Sequence, residues 1–164
     1  MVILGIDPGY AIVGYGFIRY EKSRYQVLDF GAITTPAGME FSQRLKEIYE
    51  DLSFLCQKYR PEVMSIEKLF FNTNKKTAVD VAQARGVILL AAKMNAVEIR
   101  EYTPLQVKQS VVGYGRAEKK QVQEMTKQLL GLSAVPKPDD TADALALALC
   151  HAHASGSAFQ KIGI

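Results

Sequence analysis

Cysteine and histidine are scarce in this chain: two of each among 164 residues. Cys56 and Cys150 stand in no metal-ligand spacing, and two reduced core thiols are the expected state for a chain of this size. No apolar run reaches the ~20 residues a membrane helix needs, so no membrane partner is expected. The opening Met1-Val2-Ile3-Leu4-Gly5 has no basic lead of the secretory kind and runs straight into a motif. A cytoplasmic protein is expected from that. Repeats, low-complexity tracts and linkers are missing too, so residues 1–164 read as a single domain. With 48% of residues hydrophobic, that domain has enough material for a core.

What is present is a polarised charge distribution. Residues 58–127 carry 13 Lys/Arg against 7 Asp/Glu, a net +6, which leaves −3 for the rest of a chain whose total is +3. Asp139, Asp140 and Asp143 cluster near the end. A basic middle beside concentrated acids suits a nucleic-acid enzyme that holds metal, although an ordinary solvated surface explains the charge alone equally well.

Three strands open the chain. Val2 to Asp7 is apolar with β-branched residues, while Ile12–Tyr20 and Tyr25–Thr34 alternate and are joined by a charged turn at Glu21–Arg24. A helix over Glu40–Tyr59 follows, its apolar face marked by Phe41, Leu45, Ile48, Leu52 and Leu55, and Arg60-Pro61 ends it. Glu62–Glu67 is a short strand, Thr77–Met94 a helix and Val97–Glu101 another strand. Thr103-Pro104 supplies an N-cap and a first-position proline to the next helix. Glu118–Leu130 is helical up to Gly131. A final helix runs from Asp139 to Ala154, apolar on every side at its centre and therefore buried. The order predicts an α/β mixed sheet with helices on both faces: three antiparallel strands, then parallel ones reached by right-handed crossovers.

Four acids fall at telling positions. Asp7 ends one buried strand and Glu67 ends another, where a carboxylate is costly unless solvated or paired. Side by side and parallel, the two strands would deliver both acids to the carboxyl edge where α/β sheets place ligands. Pro8-Gly9 then turns the chain away from Asp7. Asp140 and Asp143, three apart, share one helix face. Asp139 is expected as the N-cap, and a first-turn acid is an equally ordinary reading of Asp140. Asp143 leads into Ala144–Leu149, and an acid entering a buried helix needs a cation. Clustered hard oxygen donors favour Mg²⁺ or Mn²⁺; two such ions would make a phosphodiester hydrolysis site. His151 lies ~12 Å along the helix from Asp143, too far to share a metal; it and His153 read as core or helix C-terminal residues.

Downstream of Glu67, Phe70-Phe71-Asn72-Thr73-Asn74-Lys75-Lys76 places aromatics beside amides and lysines, a set that can stack on bases and hold phosphates; one of the two phenylalanines is expected in the core. Gly113-Tyr114-Gly115-Arg116 leads to a helix N-terminus that can receive a phosphate, with Arg116, Lys119 and Lys120 at hand. Lys120 reads equally as solvated surface, and Glu118 as a first-turn acid. Thr77–Met94 carries more than one apolar stripe, which predicts a partner surface, or else burial under the C-terminal helices.

Taken in order, Gly5-Ile6-Asp7-Pro8-Gly9 with Gly14-Tyr15-Gly16, Ile66-Glu67 followed by Phe70, Gln83-Ala84-Arg85-Gly86-Val87, Gln106-Val107-Lys108-Gln109 through Val111-Val112-Gly113, Ala117-Glu118-Lys119, and Asp140-Thr141-Ala142-Asp143-Ala144-Leu145-Ala146 resemble the bacterial Holliday-junction resolvases of the RuvC family over essentially the whole chain. The first motif alone is shared with actin-like kinases and other RNase H-like proteins; the ordered set is specific. The resemblance implies an RNase H-like five-stranded fold, a homodimer through Thr77–Met94, and paired nicking of opposed strands of four-way junction DNA in recombination and repair. It also implies two Mg²⁺ per site, with Mn²⁺ able to substitute, and work with the RuvA–RuvB branch-migration complex. Asp7, Glu67, Asp140 and Asp143 match the family's metal-binding acids, although some members carry His at the position of Asp140. Phe70 matches an aromatic that contacts bases at the crossover, and Lys108 and Lys119 match basic residues near the scissile phosphate, Lys119 as a catalytic group. Lys75, Lys76, Arg116 and Lys120 complete the expected DNA contacts. Competing readings are another RNase H-like nuclease, an actin-like nucleotide-binding protein, for which the chain is too short, and a junction-binding module without catalysis.

Overall fold

Side-chain alternation along the strands divides the molecule into two cores, one on each face of a single sheet. A computed structural model describes residues 1–69 and 75–156. In chain order its elements are β1 (Val2–Asp7), β2 (Ile12–Glu21), β3 (Arg24–Thr34), α1 (Phe41–Tyr59), β4 (Val63–Glu67), α2 (Lys75–Met94), β5 (Glu98–Tyr102), α3 (Pro104–Val112), α4 (Lys119–Leu130) and α5 (Asp139–Gly156). The strands lie in the order β3-β2-β1-β4-β5. β1–β2 and β2–β3 are antiparallel, while β1–β4 and β4–β5 are parallel, as the strand pattern predicts. The β2–β3 turn is tight, with Lys22 and Ser23 both at positive φ, the sense that matches the twist of a hairpin.

Leu4, Ile6, Met64 and Ile66 point to one face, where Ile48 and Leu52 of α1 and Ala84 and Ile88 of α2 cover them. Ile3 and Val63 point to the other, against Val107 of α3, Val122 of α4 and Leu145–Leu149 of α5. α5 rests on β1 and β2 and is roofed by α3 and α4, which explains why it is apolar all round. α2 packs beside α1 on the opposite face, so its second apolar stripe is not buried under the C-terminal helices.

Local chemistry sets the boundaries. Arg60 takes a left-handed conformation and closes α1, since the residue before Pro61 is barred from the helical region. Thr103 caps α3 through a reciprocal box with Gln106, and Gly131 ends α4 at positive φ. Three expectations shift. Glu40 and Glu118 are N-caps, one residue outside the helices they were expected to begin. α2 starts at Lys75, ahead of Thr77. Asp139, expected as the cap of α5, is already helical; its carboxylate turns to Lys137 Nζ at 2.7 Å and Lys119 Nζ at 3.8 Å, and two ammonium groups are stronger partners than a backbone N–H. Cys56 and Cys150 are buried and unbridged, with burial pushing both thiols up to about 11. Among the described residues no helix is long and apolar enough to cross a membrane.

Candidate metal centre and nucleic-acid interface

Strand periodicity aims the first two acids. On β1, Ile3 and Gly5 face α5 while Leu4 and Ile6 face α1 and α2. On β4, Val63 and Ser65 face α5 while Met64 and Ile66 face away. Two-residue alternation therefore turns Asp7 and Glu67 toward α5. The parallel register pairs Ile6 with Ile66, so the two carboxylates leave the sheet as neighbours at one edge.

The other two acids arrive because α5 lies almost in contact with the strands. A Cβ on Gly5 would stand 1.8 Å from the Ala144 carbonyl oxygen, and one on Gly14 would stand 2.0 Å from that of Asp140. No side chain fits in either gap, so glycine in these motifs sets how close the Asp140/Asp143 face comes to Asp7. Two hydroxyls fix the register: Ser65 Oγ donates to the Leu147 carbonyl at 2.6 Å, and Thr141 Oγ1 donates to that of Gly31 at 3.0 Å. Both bonds were missed in the sequence. A serine inside the apolar run Val63–Ile66 is the one signal that could have shown Ser65 to have a buried partner.

The electrostatics record the convergence. Burial, then Asp143, Asp140 and Glu67, push the Asp7 carboxyl up to about 8, against a smaller opposing pull from Lys119. Burial and Asp143 raise Glu67. Burial also raises Asp143, although Lys119 opposes it. Lys119 Nζ stands 2.9 Å from Asp143, and its own pKa is raised, chiefly by that hydrogen bond. Among the described residues no three acid or imidazole groups already close around one point. The acids share a field, and the lysine is the cation that answers it.

Glu67, Lys108, Lys119 and Asp143 line one cleft of about 170 Å³ whose floor is Val107, Val122, Ala146 and Leu147. It joins two of the acids to two of the lysines singled out in the sequence, those matched to residues near the scissile phosphate. Arg116 and Lys120 are exposed and form no ion pair among the described residues. Phe70 lies outside the described residues, as do the side chains of Lys75 and Lys76. The histidines stay away from the acids: His151 is buried with Nδ1 2.7 Å from the Tyr102 hydroxyl, and His153 Nδ1 is 3.0 Å from Ser110 Oγ.

A family model described as crossover junction endodeoxyribonuclease RuvC matches residues 3–151. The chain belongs to the RuvC family. Its relatives include the RuvC of Alkaliphilus oremlandii, 62% identical over 153 residues and 93% of each chain. Among solved structures, Thermus thermophilus RuvC superposes with a TM-score of 0.88 at 34% identity, over 94% of this chain and 95% of that one. The same protein in complex with a Holliday junction substrate gives 0.86 at 32% identity, with the same coverage. The fold is thus the RNase H-like α/β fold of RuvC nucleases, and the family's nucleases are metal-dependent. The carboxylate edge of this RuvC relative offers only hard oxygen donors, and burial with three acid neighbours pushes Asp7 up to about 8, so added positive charge there favours its ionised form. The residues present therefore fit a divalent cation.

Proposed function

We propose that this chain resolves four-way DNA junctions in recombination and repair by paired, symmetric nicks, using Asp7, Glu67, Asp140 and Asp143 to hold two Mg²⁺ ions, for which Mn²⁺ substitutes. The observation that carries the reading is the convergence at Asp7 of burial, first, and then of three other acids drawn from β4 and α5, which together push its carboxyl up to about 8, an arrangement that cations relieve. When bound, such ions polarise the phosphodiester and activate water. The chain's own groups do the rest. Asp7 and Glu67 fix the carboxylate edge from the rigid sheet, and Asp140 and Asp143 close it from α5. Lys119, beside Asp143, would be free to reach the scissile phosphate when Asp143 is neutralised by a bound cation. Lys108, on the same cleft, positions the strand, while Arg116, Lys120, Lys75, Lys76 and Phe70 extend the contact along the junction. The Thermus complex with a Holliday junction substrate supports this substrate class.

The second half of the proposal is a homodimer through α2. Val79, Leu90 and Met94 are 63%, 54% and 67% exposed. With Gln83 and Gly86 between them they form one stripe at steps of three and four, the spacing of a helix–helix seam. A Cβ on Gly86 would meet nothing within 4 Å, so another backbone can come close there. A two-fold seam gives two sites for a two-fold substrate. Docking to the RuvA–RuvB branch-migration complex in the cytoplasm completes the reading. Cleavage of a synthetic four-way junction, mapped at nucleotide resolution with and without Mg²⁺, tests it: symmetric metal-dependent nicks are expected, and equal cutting of plain duplex refutes it.

A further inference from the structure

Arg85 has no part in the site described above, yet it is the most thoroughly buried cation among the described residues, 8% exposed on a helix whose outer face is open. It projects from α2 under the carboxyl ends of β4 and β5. There its Nη2 donates to the main-chain carbonyl of Glu67 at 3.4 Å and forms an ion pair with the Glu101 carboxylate. β4 and β5 pair Ile66 with Glu101 and Glu67 with Tyr102, so one guanidinium bridges two adjacent strands at the last rung before the acids. Alternation puts the Glu67 side chain on the α5 face. Arg85 holds the same residue from the α2 face, through its backbone, without touching the carboxylate.

We propose that Arg85, with Glu101 as its counter-charge, is a positioning residue that sets the direction of Glu67 at the metal edge and ties that edge to α2. Both contacts come from one nitrogen, Nη2, while Nε is buried without a partner among the described residues. The rigid guanidinium plane fixes where that nitrogen stands, whereas a lysine ammonium is a point charge on a flexible stem. The bond to Glu67 restrains the end of β4 beside its last bond to β5, from the Lys68 N–H to the Tyr102 carbonyl at 2.8 Å. Gly86, next in sequence, lies on the exposed seam of α2, so movement of this helix against a second copy reaches Glu67 through one side chain.

The inference rests on Glu67 holding a cation as proposed above. The test therefore measures Mn²⁺ binding to the full chain without DNA, by electron paramagnetic resonance, for the parent, Glu67→Gln, Arg85→Gln, Arg85→Lys and Glu101→Gln, with thermal melting in chelator alongside. Loss of a positioning partner to a metal ligand costs about 10–100-fold in affinity. Arg85→Gln and Glu101→Gln are expected to weaken Mn²⁺ by about tenfold, to raise the Mn²⁺ needed for half-maximal junction cutting equally, and to leave junction affinity unchanged. Arg85→Lys should recover stability but not Mn²⁺ affinity. A lower melting temperature with unchanged Mn²⁺ affinity in Glu101→Gln or Arg85→Lys overturns the positioning role while Glu67→Gln still loses the ion. Unchanged binding in Glu67→Gln overturns both readings together. If Arg85→Gln does not fold, Glu101→Gln and Arg85→Lys decide the matter.

Discussion

Replacing Asp7 by asparagine should stabilise the metal-free protein while destroying its activity, and the size of the gain can be worked out. In the folded chain Asp7 keeps its proton to about pH 8, whereas the ordinary value is 3.8. Between those limits the folded state binds more protons than the unfolded one, so unfolding releases a proton and stability falls as pH rises. The penalty is absent below 3.8 and complete above about 8. At ~1.36 kcal/mol per pH unit the full gap corresponds to about 6 kcal/mol. Relaxation around a buried charge reduces such penalties, and about half of that is expected, equivalent to roughly 10 °C in Tm for a chain of this size. Asparagine keeps the shape and never ionises. Thermal melting in chelator should therefore show parent and Asp7→Asn nearly equal at about pH 4 and diverging toward about pH 8.5. Added Mg²⁺ should raise the Tm of the parent more than that of the variant, because the ion binds the folded parent preferentially. A stability difference that does not vary with pH, or an asparagine variant less stable in chelator at high pH, would refute the claim that these acids are forced together.

Gly14→Ala should push α5 off the sheet, because its methyl group would meet the Asp140 carbonyl oxygen at 2.0 Å; a displacement near 1 Å is enough to lower single-turnover cleavage by about 100-fold, with junction binding in gel shifts preserved. Lys119→Ala should slow cutting and flatten the salt dependence of junction binding by about one phosphate contact, and an unchanged rate and slope would exclude Lys119 from the DNA interface. Leu90→Asp, on the exposed stripe of α2, should shift sedimentation from dimer to monomer and convert paired nicks to single ones; a variant that still sediments as a dimer places the seam elsewhere. Ser65→Ala leaves the buried Leu147 carbonyl without its 2.6 Å donor and should cost about 1–3 kcal/mol in urea unfolding.

The elements were legible because their signals are local. The Thr103-Pro104 start and the Gly131 stop follow from capping and turn chemistry a few residues long, β1 follows from a short apolar run, and β2 and β3 follow from alternation. Asp7 and Glu67 were legible as strand-end acids for the same reason, and Asp143 because it opens an apolar helix. The pairing of β1 with β4, the face each acid takes and the approach of α5 to Gly5 and Gly14 depend on residues far apart in the chain. Asp139 was misplaced as a cap because Lys137, only two residues away, takes its carboxylate first, and the second partner, the distant Lys119, is brought to it only by folding. Arg85 was visible only as a letter in a motif, since nothing in its neighbourhood announces that Glu67 and Glu101 will lie within reach of its Nη2.

By itself, then, the order of residues determined which segments are strands and helices and which acids are costly to bury, because dihedral preference and hydrophobic period act over a few bonds. Only the tertiary structure decided which charges became neighbours, because Coulomb interactions and burial depend on distance in space, and the sheet register and the glycine-paved contact with α5 set that distance.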